Sequence, residues 1–571
     1  PTLIKLQLGL RSATRKLKPP SDPLLIRLQG AHNLSQLDPR MNGTPSVFVK
    51  AEVVRGSGIR NIVPGMFKQN DPGSATARWP TRWECEDPVW DSARLFGDKD
   101  ATALAGLNLR LHFFTNHQVG VSAKNVEQVR STYLGTAKIG VRQLLHNKGE
   151  PMLLKIRPAS QVKHQPAVEE VRSVFHQLFR QGDDNDDTDS EREEEEEAEA
   201  ADVEVELGEA KKAEEEAEEA EAADVEVIEA SKLEPARGVE PADGPCCVIR
   251  CESAAAYESK KVIYLIRHGE SVWNKAQKDK RFDLMLSAVD HPLNRTGREQ
   301  SEGLAANLHA GGAAAEELMA ADVVMCSPLT RAVETCLIGL QPMLAGEPRH
   351  GEETADKPKS GGTTAAAEKA LGEEAAGEKA AGEEVTACSP AKEGSSPGAP
   401  YGLRVVLNPN LREKRNFGGF DSSGKFTGRE IRRGVHAHLD ELYRKAPQKA
   451  AALKKARLGL EYVQEKWWLD GKESADAVGE RIIDLLSQVR FSPARSIVLV
   501  GHSHYFREVL GHFAFADCLL TDADGNALPA EEMGAKKLTN LGVARCACDF
   551  ETSSRAPIVS VQLLFDTKLK K

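Results

Sequence analysis

The 571-residue chain is short of several features, and each absence narrows what it can be. No stretch approaches the ~18–20 consecutive apolar residues that a membrane-spanning helix requires, so it does not read as an integral membrane protein. Its ten cysteines include no two CxxC pairs. That leaves no zinc-ribbon spacing and, in a chain this long, no plausible disulfide framework, so a reducing, cytoplasmic compartment is expected. Forty-six glycines and 29 prolines without a repeat exclude a collagen-like chain, and 40% apolar residues are too many for a chain disordered throughout. The sequence begins at Pro1 and is silent on any leader peptide.

The net charge of -11 conceals a division. Residues 183–229 carry 25 acids and 3 bases, whereas residues 1–182 carry 26 bases and 14 acids. By charge alone, a basic N-terminal part followed by an acidic tract could meet an anionic membrane surface, a nucleic acid or the acidic tract itself; of these, no nucleic-acid partner is expected. The segment EAADVEV occurs at 199–205 and again at 221–227. Such a Glu/Ala-rich segment cannot bury enough apolar surface to order itself, and residues 159–260 are assigned to an acidic low-complexity linker.

The length suits about three domains, or two with long linkers. After an N-terminal extension at 1–23, residues 24–158 hold short β-prone runs: LLIRL (24–28), SVFVKAEVV (46–54), LNLRLHFF (107–114) and MLLKI (152–156). Turn residues and no convincing helix separate them, which predicts an all-β sandwich. From residue 261 strands and helices alternate, predicting a C-terminal α/β doubly wound sheet and a multidomain protein. A Gly/Ala/Glu-rich stretch at about 346–400 interrupts that pattern and is assigned to a disordered surface insertion.

Three segments of the α/β part share one design. The buried-strand pattern VIYLI (262–266) ends in Arg267-His268-Gly269-Glu270. DVVM (322–325) leads into Cys326-Ser327-Pro328-Leu329-Thr330-Arg331, where Ser327 suits a helix N-cap and Pro328 the first helical position. SIVLV (496–500) ends in Gly501-His502-Ser503-His504. Ligands of open α/β sheets bind beyond the carboxyl ends of the strands, so these units deliver two histidines and two arginines to one place. The natural cargo is a phosphoryl group: a neutral imidazole attacks phosphorus and guanidinium groups offset the oxygen charge.

Blander or competing readings weigh against some candidates. The His502/His504 pair invites a metal, but no acidic or thiol set accompanies it and arginines repel a cation, so packing is expected for His504. Cys546, Cys548, Trp467 and Trp468 read as core. VGHSHY (500–505) looks like a serine-hydrolase elbow, but Tyr505 stands where the turn needs a small residue, and no suitably placed later histidine follows.

Five motifs are similar in combination to the histidine phosphatase superfamily, which includes the cofactor-dependent phosphoglycerate mutases. They are LIRHGESVWN (265–274), HPLNRTGREQ (291–300), SPLTRAVET (327–335), LREKRNFGG (411–419) and VGHSHYFREVL (500–510). The resemblance implies His268 as nucleophile, Arg267, Arg331 and His502 around the phosphoryl group, Glu413 as the acid for the leaving oxygen, and Asn274 as a secondary phosphate contact. It implies no metal or organic cofactor and a phosphorylated substrate of unstated class. The segment after Asn274 is longer, and the spacing after Glu413 looser, than the mutase pattern. A phosphomonoester phosphatase is therefore expected ahead of a mutase or a silent phosphate-binding scaffold.

The N-terminal strands resemble a C2 domain through LLIRLQGAHNLSQLD (24–38), NGTPSVFVKAEV (42–53), DPVWD (87–91) and YLGTAKIGVRQL (133–144). A calcium-binding C2 domain needs clustered aspartates. Here Asp38 matches one, while Thr44, Thr115 and His117 stand at the others, so no calcium site is expected. Peripheral contact with anionic lipid, or a role in protein contacts, follows from the basic charge.

Overall fold

The computed structural model describes residues 22–38, 44–54, 75–121, 127–147, 149–162, 244–345, 403–415, 420–469 and 473–570. The acidic tract at 183–229, the insertion at 346–400 and the extension up to residue 21 lie outside the described residues.

The N-terminal region contains β1 (Pro23–His32), β2 (Val47–Val54), β3 (Ala75–Arg82), β4 (Val89–Asp100), β5 (Asn108–Val121), β6 (Glu127–Gly140), β7 (Met152–Lys155), β8 (Arg157–Pro158) and β9 (Cys246–Ser253). They form two sheets, ordered β4-β1-β9-β7 and β3-β2-β5-β6-β8. Strand alternation turns Leu24, Ile26 and Leu28 of the first sheet toward Val49, Trp79 and Phe113 of the second, in one core. The indoles of Trp79 and Trp90 donate to the Ser92 and Pro80 carbonyls at 2.9 and 2.8 Å. Their burial satisfies the one polar atom each carries, and truncating either to alanine costs about 3–5 kcal/mol.

Strand β9 corrects the expected linker. Cys246–Ser253 pairs with both β1 and β7, antiparallel to each, and its Cys247, Ile249 and Cys251 enter the core. The acidic segment therefore connects two parts of one region, and only residues 254–259 separate β9 from the next strand. The period-two pattern of Cys247, Ile249 and Cys251 is short and adjoins a charged tract, so composition masked it; pairing with two waiting strand edges decides it.

The C-terminal region has β10 (Lys260–Arg267), β11 (Val323–Cys326), β12 (Val405–Leu407), β13 (Leu458–Gly459), β14 (Ser496–Gly501), β15 (Ala514–Thr521), β16 (Ala527–Leu528), β17 (Lys537–Leu538), β18 (Val543–Asp549) and β19 (Ile558–Leu564). All but β17 form one sheet, ordered β13-β12-β11-β14-β10-β18-β19-β15-β16. The run from β13 to β10 is parallel, and β18 joins it antiparallel. Its helices include α1 (Val272–Lys278), α2 (Arg295–Ala310), α3 (Thr330–Gly339), α4 (Gly428–Leu442), α5 (Ala475–Arg490) and α6 (Ser503–Phe513). Both faces of the sheet are covered. Tyr264 and Ile266 of β10 pack with Leu304 of α2, Val333 of α3 and Val435 of α4, whereas Ile263 and Leu265 pack with Ile482 of α5 and Phe506 of α6. Cys546 and Cys548 are core, as expected, and so is Trp467. Trp468 packs at the edge of the same core. No described helix is long and apolar enough to cross a membrane.

The two regions touch along α5. Leu25 and Ala93 pack against Phe491. The Arg27 guanidinium donates to the Phe491 carbonyl at 2.8 Å, Tyr462 donates to Asp91 at 2.9 Å, and Arg78 pairs with Glu480 at 3.0 Å.

Candidate active site

Parallel pairing brings the three strand ends together. Arg267 of β10 stands beside Gly501 of β14 in the register, and Cys326 of β11 beside Val500. The residues that follow are tied in turn: His268 N donates to the Gly501 carbonyl at 3.0 Å and Ser327 N to the Val500 carbonyl at 2.9 Å. The turn after β10 requires glycine, because a Cβ on Gly269 would come 2.7 Å from the Gly297 carbonyl. Close approach of two backbones thus explains one glycine each in the RHGE and NRTGRE motifs.

His268 is buried, and its Nδ1 lies 2.7 Å from the Gly269 carbonyl. A carbonyl only accepts, so the proton resides on Nδ1 and Nε2 carries the lone pair. The Nε of Arg331 donates to that Nε2 at 3.3 Å. Burial, then the charges of Arg331 and Arg267, hold His268 well below the usual histidine pKa. A neutral imidazole protonated at Nδ1, with its lone pair on Nε2, is the form a nucleophile needs.

His502 is buried at the N-cap of α6, its ring centroid 5.0 Å from that of His268. Its Nε2 lies 2.8 Å from Ser327 Oγ. Burial and Arg331 likewise depress its pKa well below the usual value. Arg331 is fully enclosed and donates from Nη1 to the Asp421 carbonyl at 2.5 Å. Arg267 donates from Nη1 to the Leu538 carbonyl at 2.6 Å, and burial pushes its pKa down to about 10. Two buried nitrogens at the site, Arg267 Nε and His502 Nδ1, have no hydrogen-bond partner among the described residues. Unmet polar atoms this deep are costly unless a ligand answers them, and an anion with several acceptor oxygens suits the Arg267 donor.

Glu413 lines the same cavity as His268. Its Oε1 accepts from Lys414 N at 2.9 Å and Tyr505 N at 3.0 Å, and its Oε2 accepts from His504 N at 3.4 Å. The carboxyl is thereby held at the start of α6, beside His502. All six expected site residues except His502 line one cavity of about 410 Å³, and His502 lies just behind His268. Asn274 closes a capping box with Ser271, in which its own side-chain oxygen accepts from Ser271 N at 3.2 Å. His504, expected to pack, also lines the cavity, with burial and Lys537 lowering its pKa to about 4.

The structure corrects one local expectation and adds residues. Ser327 is not the helix cap. Helix α3 begins at Thr330, whose N and Oγ1 both donate to Asp290, at 2.9 and 2.7 Å. A carboxylate from 40 residues away satisfies the helix end, which frees Ser327 Oγ to meet His502. Thr335 also went unassigned; its Oγ1 accepts from Gly269 N at 3.0 Å. Lys414, Asp421, Ser422 and Lys537 are among the other residues of the wall, and residues 416–419 of the fourth motif lie outside the described residues. Only SPLTRAVET and the loop next to Glu413 signalled any of these.

Residues 263–345 match the family model described as the histidine phosphatase superfamily (branch 1). That span holds His268, Asn274 and Arg331, while Glu413 and His502 come from farther along the chain. The likeness to that superfamily is thus carried by the first part of the α/β region. Similar solved structures include a mycobacterial glucosyl-3-phosphoglycerate phosphatase, at 15% identity and TM-score 0.22 over 54% of this chain and 98% of that one. A phosphoglycerate mutase from Bacillus anthracis matches at 15% identity and TM-score 0.22, over 51% of this chain and 90% of that one. A C2 domain of plant Extended Synaptotagmin 1 matches at 14% identity and TM-score 0.18, over 25% of this chain and 88% of that one. No curated protein matches the chain.

Proposed function

We propose that the chain is a phosphomonoester hydrolase working through a phosphohistidine. The observation that carries this reading is the His268 ring: neutral, protonated at Nδ1, with the Nε2 lone pair turned to a buried guanidinium. The substrate phosphoryl group binds beside His268 and between Arg267 and Arg331, with His502 behind them. The Nε2 lone pair attacks phosphorus, the P–O ester bond breaks, and the Glu413 carboxyl gives its proton to the departing oxygen. Water then attacks the phosphohistidine, Glu413 takes the water's proton, and the P–N bond breaks to release phosphate and neutral His268. Arginine charge offsets the charge on the non-bridging oxygens throughout.

A mutase would return the phosphoryl group to its substrate rather than to water. Product analysis separates them: inorganic phosphate from a phosphoglycerate supports the hydrolase, an isomer the mutase. Acid-labile, base-stable phosphate trapped on the parent chain but absent from His268→Ala is the expected mechanistic result; undiminished phosphate release by His268→Ala overturns it.

For the N-terminal region the reading is a C2-like sandwich that serves contacts within the chain. Arg78, Arg82 and Arg94 meet Glu480 and Asp484 of α5. That spends part of the basic charge that would otherwise favour anionic lipid. Co-sedimentation with phosphatidylserine vesicles at low and high salt tests the residual membrane contact.

A further inference from the structure

We infer that the N-terminal two-sheet region is a working part of the active site: through Asp484 and Gln488 it clamps the turn that carries Glu413, so that Arg82, Ser92, Asp484 and Gln488 are positioning residues for protonation of the leaving group. The inference rests on the acid role proposed for Glu413.

Helix α5 presents Arg481, Asp484 and Gln488 on one stripe, three and four residues apart, and all three are buried. The stripe faces the 3-10 turn Pro409–Leu411, which directly precedes Arg412 and Glu413. Asp484 Oδ1 accepts from Ser92 Oγ at 2.6 Å and Arg94 Nη2 at 2.7 Å. Its Oδ2 accepts from Arg82 Nη2 at 3.1 Å and Asn410 Nδ2 at 2.8 Å. Three of these four donors belong to the N-terminal region, and the fourth to the turn. Gln488 repeats the arrangement one helical turn on: its Nε2 donates to the Trp90 carbonyl at 3.1 Å and its Oε1 accepts from Asn408 Nδ2 at 2.7 Å. Asn408 Oδ1 in turn accepts from Asn410 N at 3.0 Å, closing the turn.

Arg481 fixes the far side. Its Nη1 donates to the carbonyls of Asn410 and Arg412 at 2.7 and 2.9 Å, while its Nε and Nη2 hold Glu473. Glu473 also accepts from Arg412 Nη2 at 2.6 Å. The backbone leading into Glu413 is therefore tied at 408, 410 and 412, and two of those ties run to strands β3 and β4. Without the N-terminal region, Asp484 would keep one donor of four. The tether of residues 254–259 is short enough to hold the two regions in this register.

A misplacement of about 1 Å in a catalytic group costs on the order of 10²-fold in rate. The loss should fall where proton delivery matters, on esters with poor leaving groups, and spare those whose leaving group needs no proton. A general loss of folding would lower both alike.

The test uses the full chain with Ser92→Ala, Gln488→Leu and Arg82→Met, singly and combined. Each is assayed on an alkyl phosphate and on 2,4-dinitrophenyl phosphate, with Glu413→Gln as reference. The expected result is a fall of about tenfold or more in kcat/KM for the alkyl ester, with kcat/KM for the dinitrophenyl ester within about twofold, the same signature as Glu413→Gln; kcat/KM is compared because it ends at departure of the leaving group and excludes the later hydrolysis of the phosphohistidine, which both esters share. Equal losses on both esters, or no loss on either, overturn the inference while leaving an active parent and the hydrolase reading intact. If the parent chain cleaves neither ester, that reading fails and the inference falls with it. Should the combined variant not fold, Ser92→Ala, which removes one hydroxyl, decides the comparison alone.

Discussion

The Nε of Arg331 stands 3.3 Å from the Nε2 of His268, and neither side chain is more than 3% exposed. In the proposed mechanism the pair joins the attacking lone pair to a charge that meets the developing phosphoryl oxygens. Arg331→Lys keeps the charge but loses the planar fork that also holds Asp421, so kcat/KM should fall about 10²–10³-fold. Inhibition by orthophosphate should weaken in parallel. Steady-state kinetics with that inhibitor checks both, and unchanged inhibition would contradict an anion site at Arg331.

The Ser327 hydroxyl orients the second histidine. Ser327→Ala removes the partner of His502 Nε2, a net loss of about 1 kcal/mol for one hydrogen bond. Turnover should fall about tenfold while the thermal midpoint moves by only a few degrees. Parallel kinetics and calorimetry test this, and an unaltered kcat would remove Ser327 from the site.

Burial holds His268 and His502 neutral below their usual pKa of 6.5. The unfolded chain takes up protons at these residues as pH falls through about 6.5, and the folded chain does not. Their contribution to stability is therefore full above pH ~6.5 and declines as the pH drops toward the lower folded-state pKa. His268→Asn should show a shallower loss of thermal stability than the parent between about pH 7 and pH 5. Calorimetry at stepped pH checks the slope; identical slopes would mean that His268 is not buried as described.

Phe282, Leu284, Leu286 and Phe420 are four of the six large apolar side chains exposed among the described residues. Phe282 and Leu286 also line the cavity that holds His268. An apolar lip beside an anion site favours a phosphate ester with an apolar group. Each methylene buried there contributes at most about 0.8 kcal/mol, so kcat/KM should rise by up to about fourfold per carbon along an alkyl phosphate series. Phe282→Ser with Leu286→Ser should flatten that rise, and a parent series already flat would exclude the lip from specificity.

Because β9 returns to the first sheet, replacing residues 163–243 with a short Gly/Ser linker should preserve folding and turnover, since loop length has a small entropic cost. A two-chain split after residue 259 keeps β9 with its sheet, whereas a split after residue 162 strands it with the α/β region. Only the former should yield a soluble N-terminal fragment, as judged by size exclusion and circular dichroism.

Much of the α/β region was legible because its strands are short apolar runs that end in chemistry-bearing residues. VIYLI and SIVLV announce buried strands, and Arg267-His268 and His502 follow them directly. Glu413 was legible only through its motif, because a single glutamate has no period. Strand β9 was not legible, since Cys247, Ile249 and Cys251 gain meaning only between two strand edges distant in sequence. Nor was the helix cap at α3, because Asp290 competes with Ser327 from another loop. Asp484 and Gln488 looked like ordinary polar positions of an amphipathic helix.

By itself the sequence determined that Arg267, His268 and His502 sit at strand ends, because local hydrophobic period and turn residues are properties of neighbours along the chain. Tertiary structure alone decided how those side chains are held: the tautomer of His268, the Ser327–His502 contact and the Asp484 clamp across two regions. Each depends on a partner tens to hundreds of residues away, and a buried polar group is stable only when such a partner meets it.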